Sequence, residues 1–156
     1  MSAKIMVSIR LKVAPAAAFE LFTRKVDDWW RKGPKYRMGP QGRLRFEPGE
    51  GGRLIETRAG GKVFEIGRIR AWDPPRRLVF GWRQAAFAPG MDTEVEVRFD
   101  PVGEETRVTV EHFGWDSVPA AHVARHGFPN QIFLTRHAEW WRALLASYRA
   151  GIGGGG

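Results

Sequence analysis

Cysteine is absent from the chain, which excludes disulfide frameworks, zinc ribbons, iron–sulfur clusters and thiol nucleophiles. Chemistry must come from the 4 histidines, from carboxylates and hydroxyls, or from a bound ligand. Nowhere do apolar residues run for the roughly 18 to 20 positions that a membrane span needs. The opening MSAKIMVSIRLKV alternates polar and apolar side chains where a signal peptide would carry a hydrophobic block. These absences predict a cytoplasmic protein with no membrane span. Acidic residues are in the minority, 17 against 25 Lys and Arg, for a formal charge of +8. Such a surface favours anionic partners without naming a reaction. Apolar residues are plentiful: 43% of 156 is enough for a hydrophobic core and argues against a disordered chain.

The period of the apolar residues assigns the elements. Ile5, Val7, Ile9 and Leu11 alternate with polar neighbours and predict a first strand. Ala14-Pro15 then opens a short helix carrying Ala18, Phe19, Leu21 and Phe22 at helical spacing. Val26, Trp29 and Trp30 mark a second helical piece, ended by Gly33-Pro34. Strands follow around Leu44 and Phe46, from Leu54 to Arg58, from Val63 to Trp72, through Leu78, Phe80 and Trp82, through TEVEVRF at 93 to 99, and through TRVTVEHF at 106 to 113. Gly60-Gly61 reads as a hairpin connection and Asp73-Pro74-Pro75 as a break. Phe133, His137, Trp140, Trp141, Leu144 and Tyr148 recur near 3.6 residues and predict a long amphipathic C-terminal helix. The last residues, GIGGGG, have almost nothing to pack and are expected to fray.

This order predicts an α+β fold with one domain over 1–150 and a disordered glycine-rich tail at 151–156. A curved antiparallel sheet of six or seven strands carries two short helices and one long C-terminal helix packed across it. A helix about 10 Å wide cannot seal so broad a sheet alone. The space left over predicts an apolar cavity, the usual form of a small-molecule site.

Four segments carry a family resemblance in combination: EPGEGGRLIE at 47–56, GRIRAWDPPRRLVFGWR at 67–83, TEVEVRFDPVGEETRVTVEHFGW at 93–115 and the terminal WWRALLASY. The chain resembles the START-like, Bet v-like helix-grip proteins of the SRPBCC superfamily, and within it the bacterial homologues of the activator of the heat-shock protein 90 ATPase. The resemblance covers Ile5 to about Tyr148 and implies a helix-grip fold with a lipophilic cavity. It implies no single activity. The eukaryotic co-chaperone behind the family's name has an additional N-terminal domain, whereas here the first strand begins at about residue 4.

The candidate lining comes from the faces expected to point inward: Trp30, Phe46, Leu54, Glu56 and Ile69 from the first half, then Phe80, Trp82, Val95, Val97, Val110 and His112 from the meander, with Phe133, His137 and Trp141 from the last helix. His112 and His137 together offer an acid and a base, or are two core histidines with satisfied hydrogen bonds. Glu56 shares the face of Leu54 and needs a partner, with Arg68 and His112 as candidates. His122 and His126 stand in an H-x-x-x-H spacing without the glutamate of a metalloprotease, and neither a metal nor a cofactor is expected. Trp29, Trp30, Trp82, Trp115, Trp140 and Trp141 either fill a core or form a box for a flat ligand.

Three functions follow. The first is binding of a small hydrophobic or aromatic molecule between sheet and terminal helix. The second is a polyketide cyclase or aromatase-like enzyme moving a proton with His112 or His137; whether any reaction occurs stays open. The third is a stress-response module docking on an acidic protein surface, such as a chaperone, through the basic stretch Arg24, Lys25, Arg31, Lys32, Lys35, Arg37, Arg43 and Arg45. Nucleic acid is a lower-ranked partner for that stretch, and the chain is expected to be a monomer or homodimer.

Overall fold

The computed structural model describes residues 4–30, 42–58, 60–82, 93–114 and 130–153, with the backbone alone at 130–133 and 152–153. Alternation of apolar and polar side chains produces seven strands: β1 (Lys4–Leu11), β2 (Arg43–Phe46), β3 (Arg53–Thr57), β4 (Val63–Asp73), β5 (Arg77–Trp82), β6 (Thr93–Val102) and β7 (Glu105–Phe113). They form one antiparallel sheet in the order β1-β7-β6-β5-β4-β3-β2. Strands β2 to β7 are a meander. The first strand returns to pair with the last because α1 (Pro15–Thr23) and α2 (Val26–Trp29) carry the chain across to the far edge before β2 begins.

The sheet curls because β4 is irregular twice. Its register with β3 slips between Leu54 and Ile55, and its register with β5 slips between Ile69 and Ala71. Each slip reverses which residues of β4 face inward, and the first, at Ile66, leaves Ile66 and Ile69 both buried despite an odd spacing. Close approach of β4 and β5 requires glycine at one point: a side chain on Gly67 would overlap the backbone carbonyl of Gly81. On the outer side Gly81 leaves room for Arg70, whose guanidinium crosses β5 and donates to Glu94 at 2.6 Å.

The two faces of the sheet differ as the alternation demands. Outside, Arg77 pairs with Glu96 at 2.7 Å and Arg98 with Glu111 at 3.0 Å. Surface pairs of this kind contribute less than about 1 kcal/mol each. Inside, Leu11, Leu78, Val95, Val97, Val108 and Val110 are fully buried, and deleting a buried aliphatic side chain costs about 2 to 5 kcal/mol. Stability therefore rests on the inner face.

That face is covered by the helices, and buried polar groups fix where they sit. Tyr148 of α3 (Asn130–Gly153) donates its hydroxyl to the Ala18 carbonyl of α1 at 2.6 Å, and Ser147 donates to the Trp29 carbonyl at 2.7 Å. Burial raises the Tyr148 pKa far above the ordinary phenol, so the hydroxyl stays a donor. Trp29 donates its indole N–H to the Leu21 carbonyl at 3.0 Å. At the other end Asp27 accepts from the Leu44 backbone at 2.9 Å and from Arg43 at 3.2 Å, joining α2 to β2. Arg43 belongs to the basic stretch of the sequence, and here it serves an internal contact.

Helix α3 runs to Gly153. The helix has momentum there: Leu144, Leu145 and Tyr148 anchor the preceding turns, and each further residue adds one hydrogen bond to an existing nucleus. Residues 154–156 lie outside the described residues, as do Arg31, Lys32, Lys35 and Arg37 of the basic stretch. No described helix is long and apolar enough to cross a membrane.

Candidate functional site

Strand register lines up the centre of the inner face. Ile69 pairs with Phe80, Phe80 with Val95, Val95 with His112, and His112 with Ile5, a row across five strands. The residues of this row are buried, and one step along it Trp82 pairs with Thr93. Helix α3 lays His137 and Trp141 over the His112 end, four residues apart and thus on one side of the helix.

A hydrogen-bond network joins these groups, and the Thr93 hydroxyl sets its direction. Thr93 has a single hydroxyl hydrogen, which it gives to the Trp82 carbonyl at 2.7 Å. It therefore accepts from His112 Nε2–H at 2.8 Å. His112 Nδ1 is then the bare nitrogen, and two donors converge on it: Trp141 Nε1–H at 3.0 Å and His137 Nε2–H at 2.9 Å. A proton on Nδ1 would face both. Burial, reinforced by neighbouring His137, holds the His112 pKa well below its ordinary value of 6.5. The imidazole is neutral, in one tautomer, with both nitrogens engaged.

Around this network stand the indoles. Trp30, at the end of α2, stacks on Trp82 at 5.4 Å with planes 26° apart, and meets Trp140 and Trp141 edge-on at 5.9 and 5.7 Å. Trp82 meets Trp140 and His112 edge-on at 6.0 and 6.2 Å. His137 stacks on Trp140 at 5.0 Å, 14° from parallel. Trp82 is 2% exposed. Among the buried side-chain polar atoms of the described residues, Trp82 Nε1 alone has no hydrogen-bond partner. Leaving such a donor unpaired costs about 1 to 3 kcal/mol.

The other end of the inner face is apolar. Phe46 of β2 meets Phe80 edge-on at 5.2 Å, and Leu54 is buried on β3. Glu56, 2% exposed, finds its ion partner in Arg58 at 3.2 Å. This corrects the expected partners: Arg68 pairs with Glu65 at 3.6 Å, and His112 is occupied by Thr93, His137 and Trp141. The cause is reach, since Glu56 lies on β3 near the β2 edge and His112 on β7, four strands away.

Sequence periodicity thus put Trp30, Phe46, Leu54, Glu56, Ile69, Phe80, Trp82, Val95, Val97, Val110, His112, His137 and Trp141 where the structure buries them. The side chain of Phe133 lies outside the described residues, as do Trp115 and the pair His122 and His126. Among the described residues no three His, Asp or Glu side chains converge as a metal ion requires. Two members of the site escaped the sequence list. Trp140, on the helix stripe and among the indoles read as core or box but not placed in the candidate lining, completes the aromatic wall, and Thr93 is the hydroxyl that orients His112. Alternation along TEVEVRF put Thr93 on the inner face, and a hydroxyl there was the available signal.

Comparison with known proteins places this geometry. The model of the Activator of Hsp90 ATPase homolog 1-like proteins matches residues 12–147, while no curated protein matches the sequence. An HSP90 activator from Plasmodium falciparum superposes with a TM-score of 0.67 at 19% identity, over 97% of this chain and 96% of that one. The Aha1 dimer from Colwellia psychrerythraea gives 0.64 at 17% identity, over 96% and 95%. An anthrahydroquino-gamma-pyrone synthase, solved as a complex, is 30% identical over 83% of each chain, with a TM-score of 0.51. The matched span takes in every strand after β1, both short helices and most of α3. With its seven-stranded curled sheet and long closing helix, this chain belongs to the family of Activator of Hsp90 ATPase homolog 1-like proteins, on the helix-grip fold.

Proposed function

We propose that the protein binds a small hydrophobic or aromatic molecule between the inner face of the sheet and α3. The observation that carries this reading is the cluster of buried Trp30, Trp82 and Trp141 and partly buried Trp140 around the His112–His137 pair. Flat aromatic walls with a few fixed polar groups suit a flat, mostly apolar guest. The family's fold supports the same reading, and the Trp30–Trp82 stack supplies the surface on which such a guest would lie. Fluorene, a rigid uncharged aromatic, tests it by equilibrium dialysis. Saturable binding at one site is expected, weakened about tenfold by Trp30→Ala. No saturable binding of fluorene, or binding indifferent to Trp30→Ala, contradicts the proposal.

A second reading, a cyclase or aromatase-like enzyme, is favoured by the 30% identity to the synthase. In that case the proton falls to His137. His112 has both nitrogens in hydrogen bonds and would orient His137 from its bare Nδ1. A linear poly-β-ketone probe is expected to be cyclised by the native protein. His137→Ala should then lose turnover and keep binding. Undiminished turnover in that variant removes the reading.

A further inference from the structure

We infer that the preferred guest presents a neutral carbonyl oxygen to Trp82 Nε1–H; this deepens the binding reading above and rests on it. Donors and acceptors in the cluster match almost completely. Thr93 gives one hydrogen bond and takes one. His112 gives one at Nε2 and takes two at Nδ1. The Trp141 N–H is used on His112, and the nearby Tyr148 hydroxyl and Trp29 N–H are used on backbone carbonyls. Among the buried side-chain polar atoms of the described residues, the one left over is the donor Trp82 Nε1, on a side chain only 2% exposed.

Its surroundings decide what fits. The Trp82 ring has Trp30 stacked at 5.4 Å and the rings of Trp140 and His112 at its borders, so the neighbourhood of the N–H is aromatic. A water molecule needs two to four polar partners to settle in a buried site, and among the buried side-chain atoms of the described residues the unused one is Trp82 Nε1. A phenol could accept from the N–H, but it brings its own O–H, which needs a buried acceptor in turn. A carboxylate brings a charge and about four lone-pair sites to one neutral donor, leaving most of its desolvation uncompensated. A ketone or quinone oxygen asks for little more than the one hydrogen bond available, and the aromatic body attached to it meets the indole walls. The chemical class is therefore an uncharged planar aromatic carbonyl compound.

Fluorene and 9-fluorenone differ only in CH2 against C=O at the central carbon, so the pair isolates the oxygen. In equilibrium dialysis 9-fluorenone is expected to bind about tenfold more tightly than fluorene, with Trp82→Phe levelling the two. Protein labelled with 15N-tryptophan provides a readout that needs no variant. The Trp82 indole N–H signal should move downfield with 9-fluorenone and not with fluorene. Equal affinities, a preference that survives Trp82→Phe, or an unmoved Trp82 signal at saturating 9-fluorenone overturns the carbonyl inference while the binding site stands. Failure of both molecules to bind overturns the binding site and the inference together.

Discussion

At the scale of single residues, Thr93 holds the site in order. Thr93→Val keeps the shape and removes the oxygen that accepts from His112 Nε2–H, leaving that N–H buried without its partner. A loss of about 1 to 3 kcal/mol is expected in urea denaturation, with the His112 ring resonances broadened as the tautomer loses its anchor. His112 also imposes a pH dependence. Its folded pKa lies below the unfolded value near 6.5, so below that pH the unfolded chain takes up a proton that the folded chain refuses. Stability from this group is complete above about pH 7 and falls as the pH drops through 6.5. The slope tends to about 1.4 kcal/mol per pH unit, and the His112→Gln variant should lack this component in urea midpoints measured from pH 7.5 to 5. The sequence made half of this arrangement legible. Alternation turned His112 inward and helical spacing turned His137 toward it. The direction of the network was not legible, because it depends on a hydroxyl 19 positions away in the chain and on where that hydroxyl sends its one hydrogen.

At the scale of elements, period-two and period-3.6 patterns name strands and helices well wherever one side is wet and the other dry. TEVEVRF became β6 with its apolar side inward, and Phe19 and Phe22 of α1 are buried as their spacing implies. What such patterns miss is the change of phase within β4. An inward run broken by register slips reads as ordinary strand, since the bulge is defined by the partner strand. Gly67 was the trace left in the sequence. The structure separates two glycines that a sequence treats alike. Gly67→Ala would drive a methyl group into the Gly81 backbone, and should cost about 1 to 3 kcal/mol or more. Gly81→Ala would touch the guanidinium end of Arg70 at 3.2 Å, a flexible group that moves aside, and should cost less than about 1 kcal/mol. Thermal denaturation of the two variants side by side checks this order. A milder Gly67 variant would mean that β4 and β5 are less tightly apposed than described.

At the scale of the whole molecule, a long helix crosses the inner face of a curled sheet, and indoles from α2, β5 and α3 meet where they converge. The fold class, a sheet of six or seven strands and the helix across it were readable because the order of elements permits few arrangements. The guest was not readable, since function belongs to the site and not to the fold. The convergence of sheet and α3 is expected to admit a flat apolar molecule. The most direct test is the indole N–H spectrum of 15N-tryptophan-labelled protein titrated with fluorene. Trp72, which packs edge-on against Phe19 at 5.2 Å away from the indole cluster, is the internal reference. The signals of Trp30, Trp82, Trp140 and Trp141 should shift together and saturate while Trp72 stays in place. A spectrum that does not change, or one in which Trp72 alone moves, would contradict the account.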